Sequence, residues 1–429
     1  MTWGLVAAAL AASCFFSSVA IGSPRDDLAN FQTRMRDGAA ALAKKDFAAA
    51  KKDYRDALTL MPQHPTAVYR LALASASLGK RQEALALLNR IAAMGLQLPA
   101  SFDTSFAMLK ANGDLERLKK AIARSTAPLC DCTVEFDGPR QPFIAEGIAF
   151  DPHGKRLLVS SVYQRRIVAI ADGHVRDFAM LPAGLSPFSI TLDSVRDRIW
   201  VSAASLTQSH GATPAQRGHS ALLAFDLQSG ALVANVAGPS GTDLGDGTLA
   251  PDRTVYVTDS RKGGVYRLKP AGTTLQPVTT ALSSAQGIAI SRDSRSALVA
   301  DYALGLMRLD LATGKLAAIA APATVTTLGI DGLEAASDGS FVATQNGISP
   351  ARIVHFWLSP GWSRVTRLDV VARNAQAIAD PSLLAVSGKD VYVVGVSQWA
   401  SFDDEKSEPA RAVPEFGIVR LTLPQSSRS

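Results

Sequence analysis

The stretch EGIAFDPHGKRLLVSS, residues 146–161, contains two apolar runs of strand length on either side of a polar turn. Five later stretches repeat this pattern: FSITLDSVRDRIWVSA from Phe188, GDGTLAPDRTVYVTDS from Gly245, QGIAISRDSRSALVAD from Gln286, DGLEAASDGSFVATQ from Asp331 and DPSLLAVSGKDVYVVG from Asp380. Successive copies begin 41 to 57 residues apart, and a four-stranded propeller blade has roughly 40 to 50 residues. The repeat predicts a six-bladed β-propeller over residues 143–424.

The first residue of each copy is a candidate for the central channel, because the inner strand of a blade begins beside the propeller axis. Glu146, Gln286 and Asp331 bring oxygen atoms from three blades towards this axis, and Asp246 and Asp380 lie nearby. Hard oxygens of this kind suit a divalent cation such as Ca²⁺, and crowded carboxylates repel one another unless a metal or a proton intervenes. The alternative is a hydrated channel in which each acid is hydrogen-bonded to a neighbouring strand.

Residues 25–125 have a different pattern, with the apolar spacing of helices. Small and large residues alternate here as they do in tetratricopeptide repeats, with Ala50 and Ala84 at close helix contacts and Tyr54 and Leu88 between helix pairs. We therefore predict a short tetratricopeptide-like array of about two and a half repeats. The whole chain is predicted to be a helical domain followed by an all-β propeller.

Charge is divided unevenly between the two parts. Residues 25–125 carry a net charge of +7, whereas residues 126–429 carry a net charge of −1. The propeller therefore lacks the basic surface that nucleic-acid binding needs. A protein or peptide partner of residues 25–125 is expected to be acidic and to meet a basic group on the first two helices; alternatively, these side chains are simply solvated. The group consists of Lys44, Lys45, Lys51, Lys52 and Arg55.

The N-terminus has the features of an export signal. Trp3 to Ala20 are apolar or small, and Ser18-Val19-Ala20 matches the site that signal peptidase requires. We predict a cleaved signal peptide over residues 1–20, a secreted or periplasmic protein, and no membrane span after cleavage. An uncleaved anchor and lipidation at Cys14 are the alternatives. Of the other cysteines, Cys130 and Cys132 are too close in sequence for an unstrained disulfide, and we interpret them as a junction pair without a catalytic role.

Two short segments complete the predicted organisation. Residues 126–142 are rich in Pro and Gly and are predicted to be a linker, and residues 425–429 a tail. Within the linker, Thr133 to Phe136 is a candidate strand that pairs near Gly417 to Leu423 and closes the ring.

Two insertions interrupt the blades. Ala203 to Ser220 carries His210, and Trp399 to Glu415 carries the acidic run Asp403-Asp404-Glu405 and aromatic residues. Either insertion is a candidate lid over a ligand at the channel mouth, and we include His210 among the residues on the substrate side. Exposed loops without a role in binding are the alternative.

The order of short motifs along residues 130–424 resembles the gluconolactonase/regucalcin-like propellers, the senescence-marker-protein family. The motifs are Glu146-Gly147, Pro251-Asp252, Val257-Thr258-Asp259, Gln286-Gly287-Ile288, Val299-Ala300-Asp301 and Asp331-Gly332-Leu333. The resemblance implies an axial divalent metal, Ca²⁺ foremost and otherwise Zn²⁺, Mn²⁺ or Mg²⁺, held by Glu146, Gln286 and Asp331. It also implies hydrolysis of sugar lactones with Asp331 as the general base.

Two positions depart from that family's pattern. Gln286 stands where the family has a metal-binding Asn, and Gly245, beside Asp246, stands where it has a substrate-side Asn. Because these changes affect the site and not the fold, the sequence favours an exported binding or assembly protein with a partly substituted metal site. The alternative is a metal-dependent lactonase that acts on a sugar lactone or related ester.

Overall fold

A computed structural model of the chain describes residues 23–110, 113–404 and 406–423. The predicted signal peptide with Cys14, and the predicted tail, lie outside the described residues. None of the described helices is long and apolar enough to cross a membrane.

The N-terminal part consists of antiparallel helices whose ends carry recognisable signals. Ser23 and Asp26 form a capping box at the first helix, Asp46 caps the second, and Pro65 opens the third. The helices are α1 Pro24–Ala43, α2 Phe47–Leu60, α3 Pro65–Ser77, α4 Arg81–Ala93, α5 Phe102–Ser105, a 3₁₀ turn Ala107–Leu109, and α6 Asp114–Ser125.

The helix packing agrees with the tetratricopeptide prediction. Ala50, Tyr54, Ala84 and Leu88 are all fully buried. A Cβ atom on Gly38 would lie 2.7 Å from the Tyr54 ring, so the first helix approaches the second through a residue without a side chain. Small residues at the contacts and large ones in the gaps hold the array together.

The predicted basic group is largely paired within the array. Lys51 is buried and forms an ion pair with Glu83, whose other carboxylate oxygen lies 3.4 Å from Arg55. Lys52 pairs with Asp56 at 2.7 Å. Lys52 and Arg55 remain exposed beside their (i, i+4) and interhelical partners, so an acidic partner of this group stays a prediction.

Six antiparallel sheets follow the helices. The strands of the first three blades, each from the axis outwards, are β3 Ala145–Asp151, β4 Arg156–Ser161, β5 Arg166–Ala171 and β6 His174–Met180; β7 Ser186–Asp193, β8 Arg198–Ala204, β9 Ser220–Asp226 and β10 Leu232–Ala237; and β11 Leu244–Leu249, β12 Val255–Asp259, β13 Gly264–Leu268 and β14 Gln276–Thr279.

The other three blades continue the ring, and the two earliest strands join them. They consist of β15 Ala285–Ile290, β16 Ser296–Asp301, β17 Gly305–Asp310 and β18 Leu316–Ala318; β19 Ile330–Ala335, β20 Phe341–Gln345, β21 Arg352–Leu358, β22 Val365–Arg373 and, at the edge, β1 Leu129–Cys130; and β23 Leu384–Ser387, β24 Asp390–Val396, β25 Gly417–Thr422 and, at the edge, β2 Cys132–Asp137. The six-bladed prediction is confirmed.

The chain closes the ring as predicted. Strand β2 pairs antiparallel with β25, with Thr133 opposite Arg420 and Phe136 opposite Ile418. This pairing covers the free edge of the last blade. The segment predicted to be a linker therefore contains two outer strands, and Cys130 and Cys132 form a disulfide at this junction.

Each of the first five inner strands has a β-bulge within its first four residues. At the bulge in blade one, a Cβ atom on Gly147 would lie 2.0 Å from the Phe188 carbonyl oxygen of blade two. At the bulge in blade four, a Cβ on Gly287 would lie 2.4 Å from Leu333 of blade five. A bulge redirects the side chain beside it, so the residue before each glycine can turn to the axis while neighbouring inner strands remain in contact.

The helical domain stands on the face of the propeller where the inner strands begin, which we name the mouth face. The start of α1, the α2–α3 loop and the end of α4 contact the loops of blades three, four and five. Arg25 donates to the Leu282 and Lys262 carbonyls, and Gln63 accepts from Thr327 at 3.1 Å. Leu328 packs among Phe31 and Met61. The domain therefore borders one side of the channel mouth.

Replacing Gly147 with Ala should destabilise the protein by about 1–3 kcal/mol, because the new methyl group has no space beside Phe188 and either strand must move. Denaturant unfolding of the full chain measures this effect. Gly245→Ala is the matched control at the bulge of blade three, where the nearest atom to a new Cβ is 3.4 Å away; we expect a change within about 0.5 kcal/mol. Equal costs for the two variants would contradict the close-approach explanation.

Candidate functional site

Glu146 lies at the start of the inner strand of blade one and is only 7% exposed. The indole N–H of Trp399 donates to its carboxylate, so the insertion of blade six reaches the axis. Burial, together with the nearby charges of Asp331 and Asp380, raises the pKa of Glu146 to about 8, against the Trp399 hydrogen bond that lowers it. Hydrogen bonds thus offset only part of the cost of a negative charge on Glu146, and its carboxyl group accepts a proton readily.

Asp331 is held by an amide that our sequence analysis did not identify. The Asn346 side-chain nitrogen donates to Asp331 Oδ2 at 2.7 Å and to the Pro381 carbonyl at 3.1 Å. The Tyr302 hydroxyl donates to Asn346 Oδ1 at 3.0 Å. Burial raises the pKa of Asp331 to about 6, opposed by the Asn346 hydrogen bond. Asp331 and Tyr302 interact, since burial and this carboxylate together raise the pKa of Tyr302 to about 12.

Gln286 and Gly245, the two departures from the family pattern, lie next to each other. The Gln286 amide nitrogen donates to Ser284 Oγ at 3.2 Å. Its amide oxygen is 4.0 Å from the position that a Cβ would take on Gly245. The longer side chain in blade four therefore brings its oxygen beside the residue in blade three that has no side chain.

Asp246 belongs to a deeper level of the channel. It lines a cavity of about 20 Å³, with Glu334 and Ser189 among its neighbours. Burial raises the pKa of Asp246 well above its usual value, and the charges of Asp331, Glu146 and Glu334 add to this. Burial also raises the pKa of Glu334 to about 8. A space of this size holds about one water molecule, so these two acids face a small polar void below the mouth.

The prediction for Asp380 needs a correction. In blade six, Leu384 pairs with Val393 as Ile148 pairs with Val159 in blade one, so the counterpart of Glu146 is Ser382. Asp380 lies two residues earlier, where its carboxylate accepts from Ser397 Oγ at 2.7 Å and from the Ala400 N–H at 3.3 Å. The inner strand of blade six begins later than the repeat suggested. The charge of Asp380 raises the pKa of Glu146. Its hydrogen bonds to Ser397 and Ala400 hold the insertion of blade six in place.

The two insertions meet on the mouth face. Gln208 of the blade-two insertion donates to the Asp403 carbonyl of the blade-six insertion at 3.1 Å. His210 is exposed, and its Nδ1 lies 3.3 Å from the Tyr163 hydroxyl. The Tyr163 ring also contacts Phe402, with ring centroids 5.6 Å apart. The insertions thus flank the mouth opposite the helical domain, and Tyr163 of blade one lies between His210 and Phe402.

Four residues of the site were missed or given another role. Asn346 was recognisable from the Asn-Gly pair directly after strand β20, and Glu334 from an acid at a position where other copies have Ala or Thr. Tyr302 left no signal of this kind. Trp399 was noted only as an aromatic residue in an insertion, because its contact with Glu146 spans 253 residues of sequence.

The donor set fits a divalent cation of the Ca²⁺ type. Asp331 Oδ1 and Gln286 Oε1 accept no hydrogen bond from the residues that the structure describes. Together with Glu146, they supply carboxylate and amide oxygens, to which Ca²⁺ adds water. Within the described ranges, no group of three or more His, Cys, Asp and Glu side chains is arranged to hold a metal. Any cation here would therefore depend on the amide oxygen as well as on two carboxylates.

Comparison with known proteins supports the two-domain organisation. Residues 41–112 match the tetratricopeptide repeat family model. The prediction for the helical domain is thereby confirmed. No curated protein matches the chain at a significant level.

Solved structures similar to the chain are propellers. A gluconolactonase from Xanthomonas campestris has 16% identity and a TM-score of 0.46, and covers 70% of this chain and 97% of its own. A calcium-binding protein, regucalcin, from Agrobacterium tumefaciens has 16% identity and a TM-score of 0.47, with 68% and 94% covered. The PQQ-bound aldose sugar dehydrogenase from Streptomyces coelicolor has 14% identity and a TM-score of 0.47, with 68% and 99% covered.

Gluconolactonase- and regucalcin-like propellers are thus among the similar structures, as the sequence predicts. The same comparison includes a sugar dehydrogenase. Since identity is low and the proteins differ in activity, these likenesses carry no argument about what the present site does.

The raised pKa values predict a pH dependence of stability in chelator-treated protein. An acid whose pKa is higher in the folded state keeps its proton after the unfolded chain has lost it, so stability falls as pH rises between the two values. For Glu146 this window runs from 4.5 to about 8. We expect the free energy of unfolding to fall from pH 6 to pH 8, and to fall less steeply in Glu146→Gln, as measured by denaturant unfolding. Equal slopes in the two proteins would show that Glu146 is ionised in the fold.

Proposed function

We propose that this protein is a binding protein whose propeller holds a divalent cation, together with a small oxygen-rich ligand, at Glu146 and Asp331. The observation that carries this proposal is the arrangement of acids around the mouth of the channel. Burial raises the pKa of both acids, and the charge of Asp331 raises the pKa of Glu146 as well. A bound cation would offset the cost of these charges, because opposite charge favours the ionised carboxylates.

The residues around the acids support binding over turnover. Trp399 is fixed on Glu146, and Asn346 is fixed on Asp331. The helical domain borders the mouth above blades three to five, and the joined insertions border it above blades two and six. A site walled in this way suits a ligand that is retained.

Hydrolysis of a lactone is the second candidate, favoured by one observation. Burial places the pKa of Asp331 at about 6, so this carboxylate is largely ionised at neutral pH and yet basic enough to take a proton from water. A divalent cation bound at the site would supply Lewis-acid polarisation of a carbonyl. Asp331 would accept the proton of the attacking water, and Asn346 would fix the orientation of Asp331 while it does so.

Export and a partner for the helices belong to the same proposal. The apolar segment Trp3 to Ala20 supports export, and the disulfide between Cys130 and Cys132 suits an oxidising compartment. The propeller contacts the array through helix ends and interhelical loops. We propose that the exposed surface of residues 25–125, which carries Lys52 and Arg55, binds a protein or peptide partner.

Titration calorimetry of the chelator-treated full chain tests the site. We expect one Ca²⁺ per chain, with at least about tenfold weaker binding in Glu146→Gln and in Asp331→Asn, because each variant removes a charged ligand but keeps the shape of the side chain. Asp293→Asn, an exposed acid on the opposite face, is the matched control and should leave the affinity unchanged. Absence of Ca²⁺ binding by the wild-type protein would refute the proposal.

The same preparations separate binding from hydrolysis. Ca²⁺-loaded protein should bind, but not hydrolyse, members of a panel of sugar lactones followed by acid release. Turnover by the wild-type protein that disappears in Asp331→Asn would establish the second candidate instead. Turnover that survives in this variant would point to a contaminant or to another site.

A further inference from the structure

The loop of residues 346–351 joins strands β20 and β21 of blade five and contacts both the axial site and the helical domain. At its first residue, Asn346 donates to the Asp331 carboxylate at 2.7 Å. Two residues later, Ile348 packs against the core of the helical domain. A single residue, Gly347, separates Asn346, which holds Asp331, from Ile348, which is anchored in the helical domain.

Two hydrogen bonds of Ser349 and one of a buried arginine fix this part of blade five to the residues that follow helix α4. The Gln97 N–H donates to the Ser349 carbonyl at 2.8 Å, and the Ser349 hydroxyl donates to Gln97 Oε1 at 2.8 Å. Arg352 is 2% exposed, and its guanidinium donates to the Met94 carbonyl at 2.7 Å. A buried arginine is costly unless its donors are paired, so Arg352 strongly favours contact between the two domains.

Arg352 also fixes the residue on the other side of Asn346. Its Nε donates to Gln345 Oε1 at 2.7 Å. The Gln345 amide nitrogen donates in turn to the carbonyls of Thr326 and Leu328. Leu328 packs in the cluster of Phe31, Ala57 and Met61. Gln345 and Ile348 therefore attach the chain to the helical domain on both sides of Asn346.

We infer that the helical domain positions Asn346 against Asp331, and thereby couples the state of the helices to ligand binding at the propeller axis. Asn346 is a positioning residue in this arrangement. A peptide on the helices, or any change that moves the end of helix α4, would move the amide that orients Asp331. The inference rests on the proposed function only for its effect on cation affinity, since the link between the helices and Asn346 can be measured without a ligand.

The test uses four variants of the full chain. Asn346→Ala removes the amide itself, Ile348→Ala removes the anchor in the helical core, and Arg352→Lys removes the paired hydrogen bonds. Arg90→Ala is the matched control: it removes another arginine contact between the domains, a bond of 2.6 Å to the Ala323 carbonyl, without touching the loop. Ile348→Ala is the mildest of the three site changes and keeps the test informative if Arg352→Lys does not fold.

Two measurements are made on each protein. In Ca²⁺ titration, Asn346→Ala and Ile348→Ala should weaken binding at least about fivefold, the lower end of typical coupling between sites, and Arg90→Ala less than twofold. In hydrogen–deuterium exchange without Ca²⁺, peptides spanning residues 330–348 should exchange faster in Ile348→Ala than in wild type or in Arg90→Ala.

The outcomes distinguish the inference from the proposed function. Weaker binding in Asn346→Ala but unchanged binding and exchange in Ile348→Ala would overturn the coupling and leave the cation site intact. If the wild-type protein binds no Ca²⁺, the proposed function fails, and exchange alone decides the coupling: faster exchange in Ile348→Ala supports it, and unchanged exchange overturns it.

Discussion

Close contact between neighbouring inner strands at the propeller axis is the constraint on which the site depends. At Gly147 and Gly287 the next strand lies so near that any side chain would collide with it. Glycine permits the contact, and the accompanying bulge turns the preceding residue towards the channel. Glu146 and Gln286 thus owe their positions to the residues that follow them. The polar channel results from packing between blades as much as from the polar residues themselves.

The hydrogen-bond donors to the two acids at the axis are neutral side chains. Glu146 and Asp331 are stabilised by the neutral donors Trp399 and Asn346, and these hydrogen bonds lower the pKa of each acid against the larger effect of burial. Neutral donors orient a carboxylate without neutralising it. These two acids therefore keep a fixed geometry without the opposite charge that a structural ion pair would supply.

The repeat was readable from sequence because every blade must bury the same inner faces. The period, the closing strand Thr133–Phe136 and the axial positions of Glu146, Gln286 and Asp331 all follow from that requirement. Asp380 was misplaced because an alignment by motif cannot detect that the inner strand of blade six begins at Leu384. Trp399 and Asn346 were not assigned to the site because loop conformation brings them to the axis, and no periodic pattern records it. The buried roles of Lys51 and Arg352 depend on tertiary partners that lie far away in sequence.

The position of the helical domain gives the molecule an electrostatic polarity. A domain with a net charge of +7 stands beside a channel mouth lined by carboxylates. Long-range attraction acts over about 8 Å at physiological ionic strength, so an anionic solute is drawn to the helices, and only its counter-cation is favoured at the axis. A solute that carries both charges, or that arrives as an ion pair, is exposed to the positive field of the helical domain and to the negative field of the channel mouth. The sign of the charge therefore changes between the helical domain and the channel mouth, over neighbouring parts of one face of the molecule.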